Sequence, residues 1–587
     1  MVARGSPTQV DDLVTLARAR FGDLGEAEVK LLKAAPRGEM AWCGPSERHD
    51  DPANDPRKAD AWGSEREIRA ELIRWLAIDR DAARRIDPRG IRIYAAKIVG
   101  PLDLAFGDVP FPLGFFRCRL TEGANLTCAR IPQLNLGGTW TRSITADGVN
   151  VKGSVFLRWG FTAEGEVRLV GAQVGGDVDC SGGTFKNPGK EALNADGVKV
   201  RGDVSLGEGF SGEGEVRLLG AQIGGDLICA NGTFQGEVLL LGATIRGVFA
   251  CVGGTFKNPG GKALSADTVN VQGNVFLGDA FSAEGEVRLL GAQIGGQLDC
   301  TGGKFTELNA QGATVQGPLF WTGVKDAQRA VLDLRKASVG AIADDQASWP
   351  AQGKLFLDGF VYGHIAEGPT DAKTRLEWLE RVGPFTLQPY RQLAKVLRDT
   401  GDTRGARQVL FEMECRRRKK EDRRKKEDRS WAAYLWGLVL RVTIGYGLKP
   451  VRAFWWLLAW TLLGFVAFGW GYLGGAVTPT EKEAYSQFWK DGTAPPHYPR
   501  FNALVYSLEH SFPFVSFGQK DHWGPNPQGF GRKPALEWRV FEKLRAARFF
   551  PFLKPDVLQV FAFFQIAFGW VLATLFVAGL TGIVRAE

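Results

Sequence analysis

The stretches VKVRGDVSL (Val198–Leu206) and AQIGGDLIC (Ala221–Cys229) follow one rule: apolar residues stand at every second position around a central glycine. Eight copies begin at Val149, Ala172, Val198, Ala221, Ala243, Val269, Ala292 and Ala313, a period of 21 to 26 residues. In every copy the third residue is Val or Ile, the fifth is Gly, and the seventh and ninth are apolar. A spacing of two is the period of a strand, whose side chains alternate between faces. The glycine is expected at a corner, where a missing side chain lets the backbone turn. Repeats of this length with several short strands describe coils of a parallel β-helix, each burying its apolar columns only by stacking on the next. Three residues before each start stands Ala for the Val149, Val198, Val269 and Ala313 coils and Leu for the others, which suggests volume matching between neighbouring coils.

Working outward, the solenoid extends from about residue 90 to 363, starting near GIRIYAAKIVGPLDLAF and fading into KLFLDGFVYG. Before it, residues 1–62 read as two short helices (8–35) and a loop rich in Pro, Asp and Gly. SEREIRAELIRWL in 63–89 reads as a capping helix, with Ser64 and Glu67 at capping-box spacing and Ile68, Leu72, Ile73, Trp75 and Leu76 on one stripe. Its expected task is to cover the open edge of the first coil. Residues 364–429 read as a helical linker in which Tyr390, Leu393, Ala394 and Leu397, then Ala406, Val409, Leu410 and Met413, are spaced like one tetratricopeptide-type hairpin.

The linker ends in RRRKKEDRRKKEDR, with ten basic and four acidic residues. Two readings apply: a solvated helix with i,i+4 charge pairs, or a juxtamembrane patch on anionic lipid through Arg416, Arg417, Arg418, Lys419, Lys420, Arg423, Arg424, Lys425 and Lys426. The apolar residues beyond the tract favour lipid. Residues 430–452 read as an interfacial helix, with Trp431, Tyr434 and Trp436 at headgroup depth. In 453–587, the uncharged runs 453–480 and 557–584 are each long enough to span a bilayer. The basic tract before the first span places the amino-terminal side in the cytoplasm, and the absence of a signal-peptide core at the start agrees.

Between the spans lies PRFNALVYSLEHSFPFVSFGQKDHW, a short helical part followed by an irregular stretch with Pro513 and Gly518. Irregular backbone at membrane depth is tolerated only inside protein or beside water. A third span over 501–517 would place the basic stretch 518–556 in the cytoplasm, but Glu509, His510 and Pro513 oppose it. A re-entrant loop is therefore the expectation, with Glu509 and His510 beside it.

Span, short helix, loop and second span resemble the potassium-channel pore module. FNALVYSL looks like its pore helix, VSFGQ stands where that family carries a filter of the form VGYGD, and GWVLATLFVAGLTG resembles its inner helix. The resemblance implies that Val515, Ser516, Phe517, Gly518 and Gln519 are the filter-equivalent positions. Ser516, Phe517 and Gln519 depart from the family's Gly, Tyr and Asp, which implies weak selectivity among monovalent cations. The chain as a whole resembles bacterial membrane proteins in which pentapeptide-like β-solenoid repeats precede such a two-helix domain.

These readings give a multidomain protein: a right-handed parallel β-helix with a helical cap, a helical linker and a two-span α-helical membrane domain with a re-entrant loop. The expected function is an inner-membrane, channel-like homo-oligomer, tetrameric by the resemblance, with a cytoplasmic rod that senses or binds a protein or ligand. The alternative is a membrane-anchored interaction scaffold that does not conduct. Anionic lipid headgroups are expected partners and nucleic acid is not. No cofactor, metal site or catalytic residue is expected: no CxxC occurs, the five histidines are scattered, and Cys180, Cys229, Cys251 and Cys300 share one apolar column. An oxidoreductase reading would rest on GEGFSG (Gly207–Gly212) and GWGYLG (Gly469–Gly474), which lack the strand–helix context of a dinucleotide site.

Overall fold

The computed structural model describes residues 7–48, 51–424, 438–439, 442–443, 451–512, 514–526 and 554–581. It comprises two compact units, residues 1–406 and 407–587. The first is a right-handed parallel β-solenoid of about 12 turns. Each coil contributes strands to two sheets, and every strand pairs in parallel with those of the coils above and below.

Two kinds of glycine make the coil, for different reasons. The residue just before each start adopts the left-handed conformation, as at Gly171 (φ 64°) and Gly220 (φ 61°), and this is where the chain turns between sheets. Thr268 takes the same place at φ 53°. The fifth-position glycine has no such backbone, so its expected corner role needs a different cause. A Cβ on Gly225 would collide with Asp203 Oδ1 and stand 3.0 Å from the Gly202 carbon in the coil beneath. These glycines bond to one another from coil to coil, with Gly202 N to Gly176 O at 3.0 Å and Gly225 N to Gly202 O at 2.9 Å. Close approach of two backbones is what requires glycine there.

Beside this column a row of aspartates serves the backbone. Asp177 Oδ1 accepts from Asp203 N at 3.0 Å, Asp203 Oδ1 from Asp226 N at 2.8 Å, and Asp226 Oδ1 from Val248 N at 2.7 Å. Each side chain thus satisfies an amide of the next coil that would otherwise lack a partner. On the other sheet Arg168, Arg217 and Arg288 pair with Asp147, Asp196 and Asp267 of the preceding coil at 2.7 to 3.0 Å.

Inside the rod, Phe161, Phe185, Phe210, Phe234, Phe256, Phe281, Phe305 and Trp321 form one continuous aromatic stack, with ring centroids 4.5 to 5.3 Å apart. Cys180, Cys229, Cys251 and Cys300 are buried and free. Burial pushes the thiols of Cys180 and Cys300 up, which keeps them protonated and inert.

Both ends of the solenoid are covered. Helices α1 (Pro7–Phe21) and α2 (Glu26–Ala34) match the expected pair, and α3 (Ala70–Ile78) buries Leu72, Ile73, Trp75 and Leu76. The capping helix starts later than its spacing suggested. Glu67–Arg69 form a strand paired with Lys97–Val99, because the first coil's edge takes backbone partners before it takes a helix. Ala41–Trp42 add a second such strand within the expected loop. A short helix α4 (Arg80–Ala83) leads into the first coil.

At the far end stand α5 (Ala372–Glu380) and α6 (Gln388–Asp399). Gln388 donates to Phe360 O at 2.8 Å and accepts from Gly359 N at 3.0 Å, while Gln392 donates to Tyr362 O at 2.7 Å. Arg375 of α5, fully buried, makes a bidentate pair with Asp344 at 2.6 and 2.8 Å, and Trp349 Nε1 donates to the same carboxylate. Helix α7 (Thr403–Arg424) carries the start of the basic tract.

Two substitutions test this account by thermal melting and limited proteolysis of the intact protein. Gly225→Val displaces the Asp203 carboxylate from the Asp226 amide and crowds the Gly202 backbone, so it should cost about 3 kcal/mol and open the rod to protease. Gly171→Asn, in open space with a backbone Asn tolerates, should cost under about 1 kcal/mol. Separately, Arg375→Ala should destabilise the solenoid by about 3–5 kcal/mol, because it strands the Asp344 charge in the interior.

Candidate functional site

The second unit is built on α8 (Val451–Leu473) and α12 (Pro555–Thr581), both long and apolar enough to cross a membrane. At 23 residues α8 is about 35 Å long. The two run antiparallel: Phe454 meets Phe576, Trp460 meets Phe568, and Phe468 meets Phe561, at centroid distances of 5.2 to 6.2 Å. Between them stand α9 (Lys482–Asp491), α10 (Ala503–Ser511) and α11 (Gln519–His522).

Helix α10 has nine residues, about 14 Å, far short of a span. The segment around it enters and leaves at one end of α8. Phe501, before α10, and Trp523, after α11, both pack on Tyr472 at 4.6 and 5.6 Å. Strand Trp523–Pro525 then pairs antiparallel with Val477–Pro479, and α12 begins beside Gly471 through Leu558. A third span would deliver the chain to the opposite end; the segment instead returns to the end of α8 that it left, the path expected of a re-entrant loop.

Polar side chains wedge α10 between the long helices. Ser507 Oγ donates to Thr461 O at 2.7 Å, and buried Gln565 donates to Ser507 Oγ at 2.7 Å and Ser511 Oγ at 2.9 Å. The wedge needs two glycines. A Cβ on Gly464 would collide with Gln565 and Ser507, and one on Gly569 with Ser511 O. Sequence reading missed Thr461, Ser507, Ser511 and Gln565. Gln565 was visible as an amide inside an apolar run, but exposed Gln559 gives the same signal.

The filter-equivalent residues are held from behind by Glu509. Its Oε1 accepts from Phe517 N and from Gln519 N at 3.2 Å, and its Oε2 from Lys520 N at 2.7 Å. Gln519 is buried and clamps the segment's start, donating to Arg500 O and accepting from Asn502 N, both at 3.0 Å. Gly518 is left-handed at φ 85°, and its carbonyl meets His522 Nδ1 at 2.6 Å. Val515 is half-buried, while Ser516 and Phe517 are exposed, as is Phe514. His510 does not join them. It packs between Phe468 and Tyr506 with Nδ1 at 2.8 Å from Tyr506 O. Glu509 and positions 517–520 thus form one unit, and a single copy of the loop encloses no pore. Among the described residues no group of His, Cys, Asp and Glu could hold a metal ion.

Of the basic tract, Arg416 pairs with Glu412, and Arg417 and Arg418 both pair with Glu414 at 2.8 Å. Burial would raise the Glu414 carboxyl, but hydrogen bonds from the two arginines outweigh it and hold the group below its ordinary value. Lys419 and Lys420 are exposed. Arg423 and Arg424 lie in the last turn of α7, and Lys425 and Lys426 fall outside the described residues. So do Trp431, Tyr434 and Trp436 of the expected interfacial helix, and Pro513. Comparison with family models, with curated proteins and with solved structures returns no match.

The clamp predicts that Glu509→Ala, which removes three backbone acceptors at once, speeds hydrogen exchange at Phe517, Gln519 and Lys520 by more than tenfold. Glu509→Gln, which keeps one acceptor oxygen, should show an intermediate effect, measured by exchange mass spectrometry in detergent.

Proposed function

We propose that this membrane-associated, solenoid-bearing protein is an interaction scaffold: two apolar helices anchor it in the bilayer, and the rod presents its lateral faces to a partner. The observation that carries this reading is the rod itself. Its ends are capped, its coils are joined through backbone bonds and most of its apolar side chains are buried, so its surface offers rows of polar side chains. The cationic run preceding the first span supports a cytoplasmic rod. Lys419 and Lys420, both exposed, would meet anionic headgroups.

One observation favours a second reading, cation conduction by an oligomer. Ser516, Phe517 and Phe514 are exposed on a loop whose other side is held by Glu509, and polar backbone at membrane depth is stable only against protein or water. Several copies around one axis, four by the pore-module resemblance, would supply both.

Planar-bilayer recording from purified protein separates the two. The scaffold reading expects no current above the empty bilayer, and Ser516→Cys without reactivity toward water-soluble thiol reagents. Monovalent cation current abolished by Gly518→Asp, with Ser516→Cys crosslinking between subunits, would replace it with the channel. Topology reporters should place residue 90 and the carboxyl terminus on one side and Pro496 on the other; a split between the first two would refute the two-span anchor.

A further inference from the structure

The first strand of each coil carries one residue inward and its predecessor outward, and the outward residues form a flat face of the rod. Asn150, Gln173, Lys199, Gln222, Thr244 and Asn270 lie in register on successive coils. Two residues further along the chain, the outward positions alternate between cations and glycine: Lys152, Gly175, Arg201, Gly224, Arg246. Side chains therefore stand on every second coil with bare backbone between them. At about 4.8 Å per coil, the cations repeat at about 10 Å.

This face differs from the rest of the rod in its charge. On the other sheet Arg168, Arg217 and Arg288 are each matched by an aspartate one coil below. Lys152, Lys199, Arg201 and Arg246 are exposed and make no ion pair among the described residues. No carboxylate points outward on this face over these six coils. The nearest, Asp177, Asp203 and Asp226, lie past the glycine corner with Oδ1 committed to backbone amides.

We propose that this face binds an extended acidic polypeptide segment laid along the rod axis, an assignment that rests on the scaffold reading. Charge complementarity selects an anionic partner. The spacing suits an extended chain of polyproline II type, in which residues three apart lie on one face about 9 Å apart, so one carboxylate in three meets a cation. The amides select polypeptide among anionic partners. Gln173, Gln222 and Asn270 each offer donors and an acceptor, and a peptide backbone presents both kinds of group, whereas phosphates only accept.

The test uses the full-length protein in nanodiscs of neutral phosphatidylcholine and a fluorescent peptide of four Glu-Gly-Ser repeats, read by anisotropy. Saturable binding is expected, with none for the Gln-Gly-Ser peptide. Lys199→Glu with Arg201→Glu should weaken it at least tenfold, and Gln173→Ala with Gln222→Ala severalfold. Unchanged thermal melting shows that the rod is folded; if the reversal melts early, Lys199→Gln with Arg201→Gln replaces it. Equal binding by the folded cation variant, or by the Gln-Gly-Ser peptide, overturns the proposal. So does tighter binding of oligothymidylate or of phosphatidylserine vesicles that the same variant abolishes. Failure here leaves the bilayer recordings to judge the scaffold reading, and current in those recordings leaves a positive peptide result standing.

Discussion

Every feature of the rod follows from the hydrogen bonds that join one coil's amides to the carbonyls of the next. They hold neighbouring backbones about 4.8 Å apart along the whole solenoid, and side chains have to fit that spacing. Where the backbones come closest, only glycine fits, and the line from Gly176 through Gly202 to Gly225 records this. Where an amide has no carbonyl above or below it, Asp177, Asp203 and Asp226 supply an oxygen. In the interior the same spacing brings phenylalanine rings into contact, and each ring is buried by its neighbours above and below. A coil without a neighbour has none of these partners, so the two ends need strands, helices and the Arg375–Asp344 pair.

The membrane unit answers the same demand in a medium without water. The long helices satisfy their own backbones, but the irregular stretch after α10 cannot, and a carboxylate does the work. Glu509 takes three amides, and Gln519 ties the loop to the residues before α10. A buried carboxylate is costly unless its lone pairs are used, and here both oxygens accept hydrogen bonds. Gly464 and Gly569 let the short helix approach closely enough for Ser507 and Ser511 to accept from Gln565.

What could be read in the sequence was what repeats at a constant offset. The eight starts, the apolar columns and the fifth-position glycine keep constant offsets, and they are the solenoid. The aromatic stack escaped because its offset wavers: Phe161 and Phe210 come twelve residues after their starts, Phe185 and Phe234 thirteen. The left-handed glycines were visible, since seven of the eight starts follow a glycine, but a conformation is not written in a residue name. Glu67 was misread because capping-box spacing also occurs where a strand precedes a helix. The spans were legible from length and hydropathy. The re-entrant path was legible from cost, since Glu509 argued against a span, but its partners lie eight to eleven residues away across a loop of no period.

Repetition also bears on what such a molecule is suited to do. Catalysis needs unlike groups brought to one point, and that convergence comes from loops that break a pattern. A solenoid face instead sets like groups at one interval along a line, as with Lys152, Arg201 and Arg246 separated by Gly175 and Gly224. A line of equal spacings is complementary to another line, and its contacts add with length rather than with the quality of any one of them. Moderate affinity, tolerance of sequence variation in the partner and sensitivity to salt are the physical properties of that arrangement. They are the properties that the proposed scaffold would use, and an anchor of two apolar helices would confine its partner to the neighbourhood of the bilayer.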